Sequence, residues 1–157
     1  MRDWGLSWAG WLDNRRGEWW LLGQVLLIVL DIALPPWPLA WRTPPGGMVA
    51  GALVLTGGLV LAAVAFVQLG SSLTPLPEPI PHAELKVHGL YGFCRPPLYL
   101  AVLVCALGMA LIKGGVLHPL LLLALAVLLR GKAKREEQAL LRQYPDYAAY
   151  QQRVPAF

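Results

Sequence analysis

Two polar stretches hold most of the side chains in this sequence that could do chemistry. The first, Gly89 to Tyr99, reads Gly-Leu-Tyr-Gly-Phe-Cys-Arg-Pro-Pro-Leu-Tyr and offers Tyr91, Arg95 and Tyr99, with His82, Glu84, Lys86 and His88 just upstream. The second, Arg130 to Glu137, offers Arg130, Lys132, Lys134, Arg135, Glu136 and Glu137, with Arg142 beyond it. Lys132 and Glu136 stand four residues apart, so on a helix they share one face. Tyrosines, a carboxylate and amines gathered in one place would suit a small charged molecule. Spacing alone also allows a simpler reading of the second stretch: a solvated helix lying on a membrane, its lysines drawn to anionic lipid. Cys94 and Cys105 have no metal-type spacing and read as free thiols, and no metal site is expected.

The rest of the chain must position these two stretches, and its composition says how. Of 157 residues, 57% are hydrophobic and 14% charged, too apolar for an ordinary soluble domain. The length allows about four membrane spans of roughly 20 apolar residues each. No small-residue cleavage site follows a short apolar segment, so no removable signal peptide is expected. A net charge of +4 could suit nucleic acid, but the basic residues flank apolar runs, so topology explains them better and no nucleic-acid partner is expected.

In chain order, Trp4, Trp8 and Trp11 share a helical face, which predicts an interfacial amphipathic segment over residues 1–18. Residues 19–70 hold two predicted spans. The first runs from about Trp19 to Leu34, stopping at Pro35-Pro36, with Asp31 one turn from its end and able to reach the far interface. The second runs from about Met48 to Leu69, where Gly58 and Ala62 form a small-xxx-small pair for close helix packing. Residues 71–157 open with a linker punctuated by Pro75, Pro77, Pro79 and Pro81, which cannot be regular helix. A third span starts at about Pro96-Pro97 and runs to Ile112, and Lys113-Gly114-Gly115 makes a tight turn. The fourth, about Val116 to Leu129, continues as a charged helix until Tyr144-Pro145-Asp146.

Charge orients this four-helix arrangement. Eleven of the thirteen lysines and arginines lie in the N-terminal tail, the 71–95 connection and the C-terminal tail, while the other two connections hold only Arg42 and Lys113. Four spans with both termini cytoplasmic put all eleven inside, the expected bias for a protein of a bacterial-type plasma membrane. Both chemistry-bearing stretches then share the cytoplasmic face.

The order of the motifs from His82 to Pro155 resembles that of the isoprenylcysteine carboxyl methyltransferase family, relatives of the phospholipid N-methyltransferases. The family pattern Gly-x-Tyr-x-x-x-Arg-His-Pro-x-Tyr, a helical hairpin, Glu-Glu-x-x-Leu and Tyr-x-x-Tyr-x-x-x-Val-Pro meets Gly89 to Tyr99, Glu136-Glu137-Gln-Ala-Leu140 and Tyr147 to Pro155. The match covers about half the chain. Where the family has Arg-His-Pro, this chain has Arg95-Pro96-Pro97.

The resemblance implies an all-α integral membrane protein that transfers a methyl group from S-adenosylmethionine to a lipid-like or small hydrophobic acceptor. Carried over by position, donor contacts fall on Ala83, Glu84, Leu85, Lys86, Tyr91, Pro96, Pro97, Leu98, Tyr99 and Glu136. Lys132 would meet the acceptor, and Arg95 and Glu136 carry the catalytic expectation. Membrane lipids and a lipid-linked acceptor are the implied partners. Three other readings fit the residues: a non-catalytic protein on the same scaffold, a small four-span transporter, and a sterol-reductase-like enzyme sharing the Tyr-x-x-Tyr-x-x-x-Val-Pro tail. The transporter has only Asp31 as an intramembrane carboxylate, and the reductase reading lacks a cysteine in the tail.

Overall fold

Proline and glycine set the boundaries of the apolar runs, and the runs themselves have no internal reason to break. In a computed structural model, which describes residues 18–36, 43–70 and 88–156, the chain forms α1 (Glu18–Ala33), α2 (Pro45–Leu69), a 3-10 turn (Gly89–Gly92), α3 (Pro97–Lys113), α4 (Leu117–Gln143) and α5 (Tyr147–Arg153). Among these residues there is no strand, only an isolated parallel bridge between Arg95 and Ala156. The all-α expectation is met.

Helices α2 and α3 both open on proline, in the first turn where a missing N–H leaves no bond unmade. Pro96 is extended, and its carbonyl receives Tyr99 N at 3.2 Å, so the double proline launches α3 as expected. At the other end Gly114 and Gly115 take φ of 69° and 81°, left-handed values that glycine tolerates and that turn α3 back into α4. Helix α4 then runs 27 residues without a break, apolar at first and charged from Arg130 onward, as the sequence predicts. Among the described residues, only α2, at 25 residues, is by itself long and apolar enough to cross a membrane, while the apolar α3 is 17 residues long.

Adjacent helices run antiparallel in the order α2, α3, α4, α1. The tightest contact is α2 on α3. A Cβ at Gly58 would fall 2.7 Å from Cys105 Sγ, one at Gly108 would fall 2.6 Å from Leu55 N, and one at Gly51 would fall 2.9 Å from Gly108 O. Gly58 thus lies at a close helix contact as expected, joined by Gly51 two turns before it, and Ala62 is half-buried. Between α3 and α4 lies a core of Tyr99, Ala106, Leu125, Leu129 and Ala133, which Leu27 and Ile28 of α1 help to cover. Outward, α2 exposes Leu53, Val60 and Val67, side chains suited to hydrocarbon rather than water.

Asp31 is 5% exposed, held against α4 at the turn end of the layer. There His118, fully buried, brings Nε2 to 3.2 Å from the Asp31 carbonyl. Lys113 Nζ donates to the carbonyls of Asp31, Ile32 and Leu34 at 2.8, 2.6 and 2.9 Å, satisfying the orphan end of α1. The predicted interfacial segment with Trp4, Trp8 and Trp11, the loop with Trp37, Trp41 and Arg42, and the proline-rich linker lie outside the described residues.

Candidate functional site

At the opposite end of the layer, the first turn of α3 meets the charged half of α4. Tyr99 is the shared element. Its Oη donates to Glu136 Oε2 at 2.9 Å, and the face of its ring lies 5.1 Å from Lys132 Nζ. The four-residue spacing of Lys132 and Glu136 therefore works as expected, since both reach one tyrosine from one helix face. Tyr91, on the 3-10 turn, is buried and close enough for the Glu136 charge to raise its phenol further.

Burial sets the electrostatics here. It pushes the Glu136 carboxyl up to about 7, while the Tyr99 hydroxyl and the Lys132 charge pull it down and Glu137 pushes it up. Burial pushes the Lys132 ammonium down to about 8, opposed by Glu136. Burial thus works against both charges, while the amine and the carboxyl each favour the other's charged form.

A second cluster fastens the C-terminal segment beside the first. Arg95 is buried. Its Nε donates to the Val154 carbonyl at 2.6 Å, its backbone N–H to Pro155 O at 3.0 Å, and its Nη1 stands 3.1 Å from Glu137 Oε1. That last pair is a contact of charges without hydrogen-bond alignment. The guanidinium also sits 5.8 Å from the centre of the Tyr150 ring, whose hydroxyl donates to the Tyr91 carbonyl. Burial pushes the Tyr150 phenol up to about 12, so it stays a donor throughout the neutral range. Tyr147, Tyr150 and Val154 form a small core of their own with Leu140 and Tyr144.

Of the sequence-derived site residues, Tyr99, Lys132 and Glu136 come together, with Tyr91 beside Glu136. Pro97 is buried at the start of α3, and Pro96 and Leu98 are half-buried on either side of it. Arg95 lies among the residues of the C-terminal clasp. Ala83, Glu84, Leu85 and Lys86 lie outside the described residues.

Two side chains that sequence reasoning passed over join the site region. Gln24 of α1 accepts a hydrogen bond from Lys132 Nζ through Oε1 at 2.7 Å. Gln68, at the end of α2, accepts from Leu90 N through Oε1 at 2.8 Å and so holds the 3-10 turn in place. A signal for Gln24 existed. With Leu27, Ile28 and Asp31 it occupies the i, i+3, i+4, i+7 face of α1, an inward stripe in an otherwise apolar helix. Gln68 carried no such signal.

Comparison with known proteins finds relatives over most of the chain. The chain is 28% identical to a nickel-cobalt-cadmium resistance protein from Alcaligenes xylosoxydans xylosoxydans, over 92% of this chain and 64% of that one. It is 30% identical to a cobalt-zinc-cadmium resistance protein from Cupriavidus metallidurans, over 98% of this chain and 68% of that one. The chain thus spans about two thirds of the length of these curated relatives. No solved structure matches. Residues 47–147 match the phospholipid methyltransferase family, a stretch that takes in α2, the 3-10 turn, the α3–α4 hairpin and the Tyr99, Lys132 and Glu136 cluster. The chain belongs to the phospholipid methyltransferase family.

Proposed function

We propose that this chain is an integral-membrane methyltransferase that takes its methyl group from S-adenosylmethionine and gives it to a lipid-like or small hydrophobic acceptor, in the manner of the isoprenylcysteine carboxyl methyltransferases. The observation that carries the reading is the single tyrosine, Tyr99, held between a carboxylate and an amine from one face of α4. On this reading α1 to α4 are four spans with both termini cytoplasmic, and the Tyr99 end faces the cytoplasm. The 1–18, 19–70 and 71–157 divisions are kept.

The residues present fit such a donor. When bound, S-adenosylmethionine supplies an electrophilic methyl carbon on a cationic sulfur. The Tyr99 and Tyr91 rings offer π faces to a cation or an adenine. The Glu136 carboxylate accepts from hydroxyl or amino groups. Pro96 to Leu98 shape the wall beside Tyr99, and Ala83 to Lys86 would complete the donor side. Methyl transfer asks for alignment and exclusion of water more than for proton movement, so buried and rigid neighbours serve it well. Lys132 pairs with the anionic end of the acceptor, which enters sideways from the bilayer. Arg95, bound to Val154, Glu137 and Tyr150, serves by fixing the C-terminal segment against the site.

Calorimetric titration of the purified protein with S-adenosylhomocysteine tests this. Saturable binding by the wild type is expected, lost in Glu136→Ala and kept in Asp31→Ala. A folded sample that takes up no S-adenosylhomocysteine would sink the proposal.

A second reading has its own support: a non-catalytic member of the family. Pro96 stands where the related pattern has histidine, and its ring offers no donor while its carbonyl is engaged by Tyr99 N. The relatives' names also point to a role in resistance to divalent metals. Binding of S-adenosylhomocysteine without methyl transfer to prenylcysteine or phospholipid acceptors would favour it.

A further inference from the structure

Helix α1 lies outside the residues matched to the family, yet it reaches into the cluster. Between Trp19 and Ala33 it carries two polar side chains, Gln24 and Asp31, seven residues apart on one face. Gln24 meets Lys132 of α4 through its side chain, and Asp31 meets His118 of α4 through its backbone carbonyl. The approach that brings Gln24 into reach is fixed by glycine on both helices. A Cβ at Gly23 would fall 2.7 Å from Leu128 Cδ1, and one at Gly131 would run into the Trp20 ring. The helices therefore meet nearly backbone to side chain over residues 20–24 and 128–132. A glutamine built into such close packing has little freedom to point elsewhere.

We propose that Gln24 is a positioning residue for Lys132: its Oε1 holds the ammonium over the Tyr99 ring, making α1 a wall of the corner that recognises the anionic end of the acceptor. This rests on the reading of Lys132 as the acceptor-binding amine. The chemistry of the contact is specific. Lysine offers three donors and no acceptor, and the glutamine carbonyl takes one of those donors at 2.7 Å. A bond to an ammonium stabilises the charged form over the neutral one, so the Gln24 contact works, with the Glu136 charge, against the lowering that burial imposes on the amine. Among the described residues, Glu136 of its own helix and Tyr99 of α3 are titratable groups beside Lys132. An amine that is both aimed and charged is what pairing with a carboxylate or phosphate oxygen requires.

The test reads Lys132 itself. The chain has four lysines, so carbon-13 labelling at lysine in detergent micelles gives few resonances, and Lys132→Met identifies the one that matters. Its titration midpoint is followed in wild type, Gln24→Leu and Gln24→Glu, and each protein is also titrated with S-adenosylhomocysteine. The Leu variant is expected to lower the midpoint and the Glu variant to raise it, each by roughly one pH unit, the scale of one hydrogen bond to a charge. General damage to packing would move both variants the same way. Shifts of one sign, or none, overturn the proposal, and if Gln24→Leu does not fold, the near-isosteric Gln24→Glu decides alone. Opposite shifts in a protein that never binds S-adenosylhomocysteine would uphold the contact and remove the methyltransferase reading, and binding without the shifts would do the reverse.

Discussion

Removing the Arg95 guanidinium takes away a carbonyl contact to Val154, an opposite charge at Glu137 and a ring contact to Tyr150. Arg95→Ala should lower stability by on the order of 3 kcal/mol, the scale for breaking a buried ion pair from one side. Limited proteolysis should then cut within residues 147–156, which the wild type protects. Arg95→Lys should recover little, because an ammonium cannot reproduce the guanidinium fork.

Glu136 makes a prediction of a different kind. Its folded carboxyl, near 7, lies above the ordinary 4.5, so between those values the folded protein keeps a proton that the unfolded chain gives up. Stability from this group is therefore present below about pH 4.5 and falls as pH rises to about 7. Lys132, near 8 when folded and 10.5 otherwise, is a base with a lowered value, so its contribution recovers between about pH 8 and 10.5. Glu136→Gln should flatten the acid-side fall, leaving a protein more stable than wild type at pH 7.5 by roughly 1–2 kcal/mol after screening, yet weaker in binding S-adenosylhomocysteine. Thermal unfolding across pH 5 to 9 checks the first part. Tyr99 and Glu136 were legible in the sequence because residue type and motif order flagged them. The buried state that shifts their charges was not, since it depends on which helix covers them.

At the scale of the element, helix extents follow from local chemistry. Paired prolines open α2 and α3, and Gly114 and Gly115 turn the hairpin, each through a constraint confined to a few residues. Helix partners were harder to see. Gly58 reads as a packing position from spacing alone, but Gly51 and the partners Gly108 and Cys105 emerge only once the helices are paired. Gly58→Val should separate α2 from α3 and cost about 1–3 kcal/mol, read as a lower unfolding temperature, whereas the same change at Gly57, where nothing lies close, should be nearly silent. Lys113 was read as part of a polar turn, but it caps α1 from 79 to 82 residues away in sequence. Such a contact leaves no periodic trace. Lys113→Met should fray the end of α1, seen as faster amide exchange at residues 31–34.

On the scale of the whole molecule, the charge pattern and the layer agree on one thing: the Gly89–Tyr99 and Arg130–Glu137 stretches meet at the same end. The opposite end is held by the Lys113, Asp31 and His118 group, in which Asp31 Oδ1 and His118 Nδ1 have no hydrogen-bond partner among the described residues. The layer also has a direction in time. Of the described helices α1 is synthesised first, but its main neighbour is α4, and the Gln24–Lys132 contact spans 108 residues of chain. Until α4 arrives, Gln24 sits on an apolar helix without the amine that it meets in the finished fold. Non-local contacts of this length form late. The α2–α3–α4 hairpins can zip up locally while α1 waits, so the corner around Lys132 closes as the final docking event of assembly. A growing chain therefore lacks the corner of Gln24, Tyr99 and Lys132 until α4 is in place.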